Sequence, residues 1–134
     1  MKKVNAIIET ASDGSYSIYS DAADLGYLLL GFGDTIEEAK REFMEGYEGM
    51  GKYYAEKGKP FTEMEVTYKF DVPSFVGYYS KVISLERLSR LSGIRKKQLS
   101  LYIAGSRRPT TSTLERIQGG ILTFAHDLCS VRLV

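Results

Sequence analysis

The sequence has little of the side-chain chemistry on which many enzymes and secreted proteins depend. Its 134 residues include one cysteine, Cys129, one histidine, His126, three prolines and no tryptophan. A single cysteine excludes an intramolecular disulfide, and one His with one Cys excludes the usual zinc-ligand spacings. His126 and Cys129 lie three residues apart on a predicted helix and could form a Cys–His catalytic pair. A cysteine on such an apolar stripe, however, is usually a core residue. We therefore assign no catalytic residue, no metal ligand and no cofactor.

Long apolar runs are absent as well. No stretch approaches the roughly 18 consecutive apolar residues of a membrane span. Residues 1–10 lack the apolar core of a signal peptide. We therefore expect a cytoplasmic protein with no membrane contact. The 43% hydrophobic and 26% charged residues are close to the average for globular proteins, so the chain should fold.

The net charge of +1 conceals an uneven distribution of charge along the chain. Residues 1–72 carry 8 basic and 14 acidic side chains, a net charge of −6, whereas residues 73–134 carry 10 basic and 3 acidic ones, a net charge of +7. This asymmetry predicts that the C-terminal part meets a polyanion, and that the N-terminal part meets something basic or nothing charged.

The first half of the chain has the alternation that is typical of β-strands. Val4, Ala6 and Ile8 alternate along a first strand, "SDG" at 12–14 supplies turn residues, and "SYSIYS" alternates again, which predicts a hairpin. The run "GYLLLGFG" at 26–33 suits a third strand and "FTEMEVTYKF" at 61–70 a fourth. Between these two strands, an amphipathic pattern capped by Asp34 or Thr35 predicts a helix to about Gly51 or a turn beyond.

The character of the chain changes at Pro73, where the apolar period switches from two to about 3.6. The predicted helices beyond it cover "PSFVGYYSKV", a segment capped by Ser84 and ended by Gly93, "RKKQLSLYIA" ended by Gly105, and a last segment capped by Thr111 or Ser112 that reaches about Ser130. We therefore predict an α+β protein, with a β-β-β-α-β domain over residues 1–72 and an all-α domain over residues 73–134.

The two middle helices of the second half have the spacing of a helix-turn-helix. Leu85, Leu88 and Leu91 face inward on the first helix, Gly93 forms the turn, and Leu99 and Tyr102 anchor the second. In that motif the second helix enters the major groove with its N-terminal residues at the base edges, and following arginines can contact phosphate. A solvated basic face is the alternative, but confinement of the cations to the helix start and the following loop favours DNA. The candidate DNA-binding residues are Arg95, Lys96, Lys97, Gln98, Ser100, Leu101, Arg107 and Arg108.

Two stretches resemble known protein families. The segment "SLERLSRLSGIRKKQLSLYIAGSRRPTTSTLERI" resembles the helix-turn-helix of phage repressors of the Xre/Cro type, with Gly93 at the turn. The hairpin "IIETASDGSYSIYSD", followed by "GFGDTIEEAKREF" and a trailing strand, is similar to the HicB antitoxins of type II toxin-antitoxin systems. Together the two resemblances cover nearly the whole chain.

The HicB resemblance implies a degenerate RNase H-like N-terminal domain that covers HicA, a small basic ribonuclease toxin, and a C-terminal domain that binds the operon's own promoter. An active RNase H-like site needs carboxylates around two metal ions, and the first strand offers none before Glu9, so we expect no enzyme activity. The acidic balance suits a basic partner. The candidate partner-binding residues are Asp13, Asp21, Asp24, Asp34, Glu37 and Glu38. Because one helix-turn-helix contacts few base pairs, we expect a homodimer or higher homo-oligomer on operator DNA.

Two other functions stay open at this point. The chain could be a one-component transcriptional regulator whose N-terminal domain senses a small ligand or dimerises, without a toxin partner. A nuclease is the third candidate, and the missing carboxylate on the first strand disfavours it.

Overall fold

The computed structural model describes residues 1–80 and 82–134, which divide into two compact units, Met1–Asp71 and Val72–Val134. The change of pattern predicted at Pro73 lies one residue inside the second unit. All described strands lie in the first unit and most described helices in the second, so the protein is α+β. Among the described helices, none has the length and apolar character needed to cross a membrane.

The first unit has the predicted order of elements. It contains β1 (Lys2–Thr10), β2 (Tyr16–Ser20), β3 (Leu30–Gly33), α1 (Ile36–Glu56) and β4 (Met64–Phe70). The strands form one sheet in the order β3-β2-β1-β4. β1 pairs antiparallel with β2 and parallel with β4, and β2 pairs antiparallel with β3, so the sheet is mixed. The connection through α1 therefore carries the chain from one edge of the sheet to the other.

One face of the sheet is covered by α1, whose start is fixed by local hydrogen bonds. The Thr35 hydroxyl accepts from the Glu38 amide at 3.1 Å, and the Glu38 carboxylate accepts from the Asp34 amide at 2.9 Å. The first bond satisfies an amide that the helix start leaves without a partner, and the second holds the residue before the cap. Thr35, one of the two predicted alternatives, is therefore the N-cap of α1. Ile36 and Phe43 are buried on the side of α1 that meets the sheet.

Two glycines allow α1 to approach the edge strand β3 closely. A Cβ atom on Gly31 would lie 2.2 Å from the carbonyl oxygen of Ala39, and one on Gly33 would lie 2.6 Å from the Cβ of Glu38. Both distances are well inside van der Waals contact, which is about 3.5 Å or more for carbon atoms. Because side chains alternate along a strand, Leu30 and Phe32 point to the opposite face of the sheet.

The core of the first unit lies between the sheet and α1. Its buried residues are Val4, Ala6, Ile8, Ile18, Leu25, Tyr27, Leu29, Ile36, Ala39, Phe43 and Met64. Tyr27 stacks on Phe61 with ring centroids 5.2 Å apart, and its hydroxyl donates to the Thr62 carbonyl at 2.7 Å. The loop before β3 is thereby tied to the segment before β4.

The second unit is helical in its described part. It contains α2 (Val72–Tyr79), α3 (Leu85–Ser92), α4 (Lys96–Ile103) and α5 (Thr111–Ser130). Its buried apolar residues are Val72, Leu88, Ile94, Leu99, Tyr102 and Ile117. Leu88, Leu99 and Tyr102 are buried as predicted, whereas Leu85 and Leu91 are half-buried.

Two sequence predictions for the second unit are wrong. The last helix is capped by Thr110 rather than by Thr111 or Ser112, because the Thr110 hydroxyl accepts from the Thr113 amide at 3.2 Å. Cys129, expected in the core, is exposed, because the end of α5 extends past the buried cluster that contains Ile117.

Candidate nucleic-acid interface and partner surface

A tight turn joins α3 to α4 and is held from several sides. Gly93 has φ 72°, the left-handed conformation that glycine adopts without strain. Its amide donates to the Ser89 carbonyl at 2.8 Å, and the Ile94 amide donates to the Ser92 hydroxyl at 3.2 Å. Arg116 of α5 donates to the Gly93 carbonyl at 2.8 Å. These contacts, with the buried Ile94, fix the position of α4 relative to α3.

The start of α4 is positively charged and lacks the groups that normally stabilise a helix start. Arg95 is the N-cap residue, Lys96 and Lys97 follow it, and all three are exposed. Within residues 1–80 and 82–134, no side chain caps this helix, and its first turn holds no acid. The starts of α1, α3 and α5, in contrast, are capped by the hydroxyls of Thr35, Ser84 and Thr110. Cations at the positive end of a helix dipole are unfavourable by roughly 0.3–1 kcal/mol each, and a bound anion would relieve this repulsion.

The other candidates on α4 have local partners or are less exposed. Gln98 is half-buried, and its Nε2 donates to the hydroxyl of the buried Tyr102 at 2.5 Å. The exposed Ser100 donates from its hydroxyl to the Lys96 carbonyl at 3.0 Å. Leu101 exposes 37% of its surface. The exposed cations at the helix start are therefore the side chains best placed to meet a nucleic acid.

Arg107 and Arg108 lie in the loop between α4 and α5, and both are exposed. They follow α4, so the length of this helix, about 12 Å for its span at 1.5 Å per residue, separates them from Lys96. Two groups of cations at opposite ends of one short helix can contact different phosphates of the same DNA.

The six acidic residues predicted to bind a basic partner do not form one cluster. Pairing of Tyr16 with Gly33 places the hairpin turn that holds Asp13 at the same end of the sheet as Asp34. Glu37 and Glu38 follow Asp34 at the start of α1. Asp21 and Asp24 follow the end of β2, at the opposite end of the sheet.

Most of these acids also have structural partners. Hydrogen bonds from the Ser15 hydroxyl at 2.6 Å and its amide at 2.9 Å hold Asp13 in the hairpin turn and lower the pKa of its carboxyl. Asp21 accepts from the Asn5 amide at 3.1 Å and from its side-chain nitrogen at 3.0 Å.

Two further acids of this set also have partners close by in the structure. Asp24 forms an ion pair with Lys2, and Glu38 completes the α1 cap. Asp34 and Glu37 are exposed. The predicted set is therefore largely a set of turn and cap residues.

Sequence reasoning missed an apolar patch on the face of the sheet opposite α1. Strand pairing places Ile7, Tyr19 and Leu30 side by side across β1, β2 and β3, and Phe32 lies further along β3. Leu30 exposes 47% of its surface and Phe32 55%. These four residues form the sheet patch. The signal for it is the alternation in "LLLGFG" at 28–33, where the glycines must face the helix.

Acidic side chains lie close to the sheet patch. The Tyr19 hydroxyl donates to Glu9 Oε1 at 3.2 Å. Burial raises the pKa of Tyr19, and the neighbouring carboxylates of Glu9, Asp71 and Asp21 raise it further. The patch therefore combines exposed apolar side chains with neighbouring carboxylates, and Lys69 of β4 lies beside Ile7 on the same face.

Across residues 1–80 and 82–134, no group of three or more His, Cys, Asp or Glu side chains is arranged to hold a metal ion. His126 and Cys129 are both exposed on α5.

Comparisons of the chain with protein-family models, with characterised proteins and with solved structures found no match. Function is therefore inferred from the residues and their geometry.

Proposed function

We propose that this chain is a non-enzymatic antitoxin of the HicB type that also represses its own operon. In this proposal α3, the Gly93 turn and α4 form a helix-turn-helix that binds operator DNA. The first unit, a degenerate RNase H-like domain, binds and covers a small basic ribonuclease toxin of the HicA type. The observation that carries the proposal is the exposed, cationic start of α4, which lacks a side-chain cap among the described residues.

The packing of α4 supports DNA binding. Leu99 and Tyr102 expose 0% and 3% of their surface and hold one side of α4 in its unit. Lys97 and Leu101 lie on the opposite, exposed side. The N-terminal residues of a recognition helix are those that meet base edges, and cations there also pair with phosphate. Phosphate would remove the repulsion at the start of α4, so binding would offset a local cost of the fold.

The charge and surface of the first unit support a basic protein partner. The unit has a net charge of −6, and its sheet patch exposes Leu30 and Phe32 beside the carboxylate of Glu9. Exposed apolar patches with charged borders are typical of protein interfaces, and complementary charge accelerates association.

The DNA-binding part is tested by gel shift of the full chain with the DNA upstream of its own gene. We expect Lys96→Ala with Lys97→Ala to abolish the specific shift, because both cations at the helix start are lost. The matched control is Lys52→Ala with Lys59→Ala, which removes two exposed cations from the first unit and should leave the shift unchanged. Arg107→Ala should weaken binding to all sequences and reduce the salt slope by about 1. An undiminished shift with the Lys96 and Lys97 variant would contradict the assignment.

The proposal predicts that a small basic ribonuclease is encoded beside this gene, and the partner-binding part is tested with that protein. The full chain should suppress RNA cleavage by that protein. Phe32→Lys should restore cleavage, because it removes an exposed apolar contact and adds a charge like that of the partner. Glu48→Gln, on the exposed side of α1, changes the net charge by the same amount and should still suppress cleavage. Suppression by Phe32→Lys equal to that of the wild type would show that the sheet patch is not the contact.

One outcome would favour the one-component regulator: the full chain binds its DNA specifically but binds no adjacent basic protein. A ligand-dependent shift in thermal unfolding would then assign the first unit as a sensor.

A further inference from the structure

Arg116 of α5 is held beside the turn that leads into α4, at a position that the helix-turn-helix spacing does not predict. Its Nη2 donates to the Gly93 carbonyl oxygen at 2.8 Å. The part of α5 that carries Arg116 is anchored, because the neighbouring Ile117 is buried and a Cβ atom on Gly120 would lie 2.4 Å from the Leu91 carbonyl oxygen. The Arg116 side chain itself is exposed. The unit therefore holds a guanidinium at its surface, next to the Gly93 turn.

The charge of Arg116 has no counter-charge in the described part of the chain. No carboxylate of residues 1–80 and 82–134 forms an ion pair with it, whereas Arg90 of α3 pairs with Glu86 at 3.0 Å. The bond to Gly93 uses one N–H of a guanidinium that has several. The other N–H donors of Arg116 have no partner among the same residues, so they can bind a further acceptor.

The cationic start of α4 lies close to Arg116. Gly93 precedes Arg95 by two residues, which span at most about 7 Å, and Lys96 and Lys97 follow directly. Like charges that gather at one surface repel one another, and an anion bound among them would remove this repulsion. The arrangement therefore suits an anion that meets Arg116 and the start of α4 together.

We propose that Arg116 contacts a backbone phosphate of the DNA whose bases meet the start of α4. This inference rests on the proposed DNA binding by the second unit. A guanidinium suits the contact, because its planar fork can donate two parallel hydrogen bonds to one phosphate. Phosphates are the same in every DNA sequence, so the contact holds α4 in register without reading bases. Arg116 therefore contributes to the affinity for any duplex and not to the preference for one.

The experiment is a titration of the full chain with the duplex upstream of its gene and with a shuffled duplex, followed by fluorescence anisotropy at several salt concentrations. Each phosphate contact adds about 0.9 to the slope of log K against log salt. Arg116→Met keeps much of the side-chain length but removes the charge, and it should lower this slope by about 1 for both duplexes. A rise from about 50 to about 200 mM salt should then weaken the variant roughly 3-fold less than the wild type. Arg116→Lys keeps the charge and should keep the slope.

Arg132→Met is the matched control. Arg132 is also exposed and also donates to a backbone carbonyl, that of Cys129 at 3.0 Å. It lies beyond the far end of α5, and the helix from Arg116 to Ser130 is about 21 Å long. The loss of its charge should leave the salt slope unchanged.

Arg116→Gln keeps the proposal testable if Arg116→Met folds poorly, because glutamine is neutral but retains N–H donors. It should lower the slope as Arg116→Met does. An unchanged slope in a folded neutral variant, an equal decrease in Arg116→Lys, or an equal decrease in Arg132→Met would each overturn the proposal while leaving DNA binding by the unit intact. A wild type that binds neither duplex would overturn this proposal and the proposed function together.

Discussion

At the residue scale, Gly31 decides how closely α1 can approach the edge of the sheet. We expect Gly31→Ala to lower the free energy of unfolding by about 3 kcal/mol, because its Cβ would meet backbone atoms of α1 that cannot move aside easily. Urea unfolding followed by circular dichroism measures the change. Gly49→Ala is the control, because a Cβ there meets nothing within 4 Å, and it should raise the free energy of unfolding by up to about 1 kcal/mol. Equal unfolding midpoints for the two variants would contradict this account of the packing.

Tyr27 gives the first unit a dependence on alkaline pH. Burial, with smaller contributions from Tyr47 and Tyr54, raises the pKa of Tyr27 to about 12 from its ordinary value of 10. The fold therefore favours the protonated phenol, and this contribution is complete below pH 10 and is lost as the pH rises towards 12. Two pH units correspond to about 2 to 3 kcal/mol.

The measurement is the free energy of unfolding of the wild type and of Tyr27→Phe between pH 8 and 12, since phenylalanine cannot ionise. The wild type should lose more stability than the variant above pH 10. Absorbance of tyrosinate should also show one late-ionising group fewer in the variant than in the wild type, where the pKa values of Tyr19 and Tyr68 are raised as well. Parallel stability curves for the two proteins would mean that Tyr27 ionises normally.

At the scale of the element, the sequence predicts those features, such as caps and turns, that depend on residues close together in the chain. The caps Thr35 and Ser84 and the turn at Gly93 follow from residues within a few positions, and all three appear in the structure. The sheet patch depends on which strands become neighbours, and the hairpin pattern alone does not contain that information. The acidic candidates failed to converge for the same reason, because the register sends Asp34 and Asp21 to opposite ends of the sheet.

Helix α4 offers a direct test of a conflict between stability and binding. We expect Arg95→Ser to raise the free energy of unfolding by about 1 kcal/mol, because Arg95 has the extended backbone of an N-cap, φ −60° and ψ 139°, and serine can accept from the first turn. The same change should weaken DNA binding, because a cation at the helix start is lost.

Thermal unfolding and DNA titration of the same protein samples measure both effects. Arg95→Ala separates them, since it removes the charge without supplying a cap and should gain less stability than Arg95→Ser. If Arg95→Ser were less stable than the wild type, the start of α4 would not be strained by its charge.

At the scale of the whole molecule, the chain joins a unit of net charge −6 to a unit of net charge +7. The boundary was predictable, because both the charge and the apolar period change near Pro73. Burial along α5 was harder to predict, since Leu114, Ile117, Ile121, Phe124 and Leu128 have one regular spacing but Ile117 is buried and Leu128 is exposed.

The central claim is that the second unit reads a DNA sequence through the start of α4. The most direct measurement is fluorescence anisotropy of the full chain with the duplex upstream of its own gene and with a shuffled duplex of the same composition, at physiological salt. Specific DNA-binding proteins favour their own site by about 10³-fold or more, and we expect a ratio of that order here. Equal affinities for the two duplexes, or no binding to either, would contradict the account.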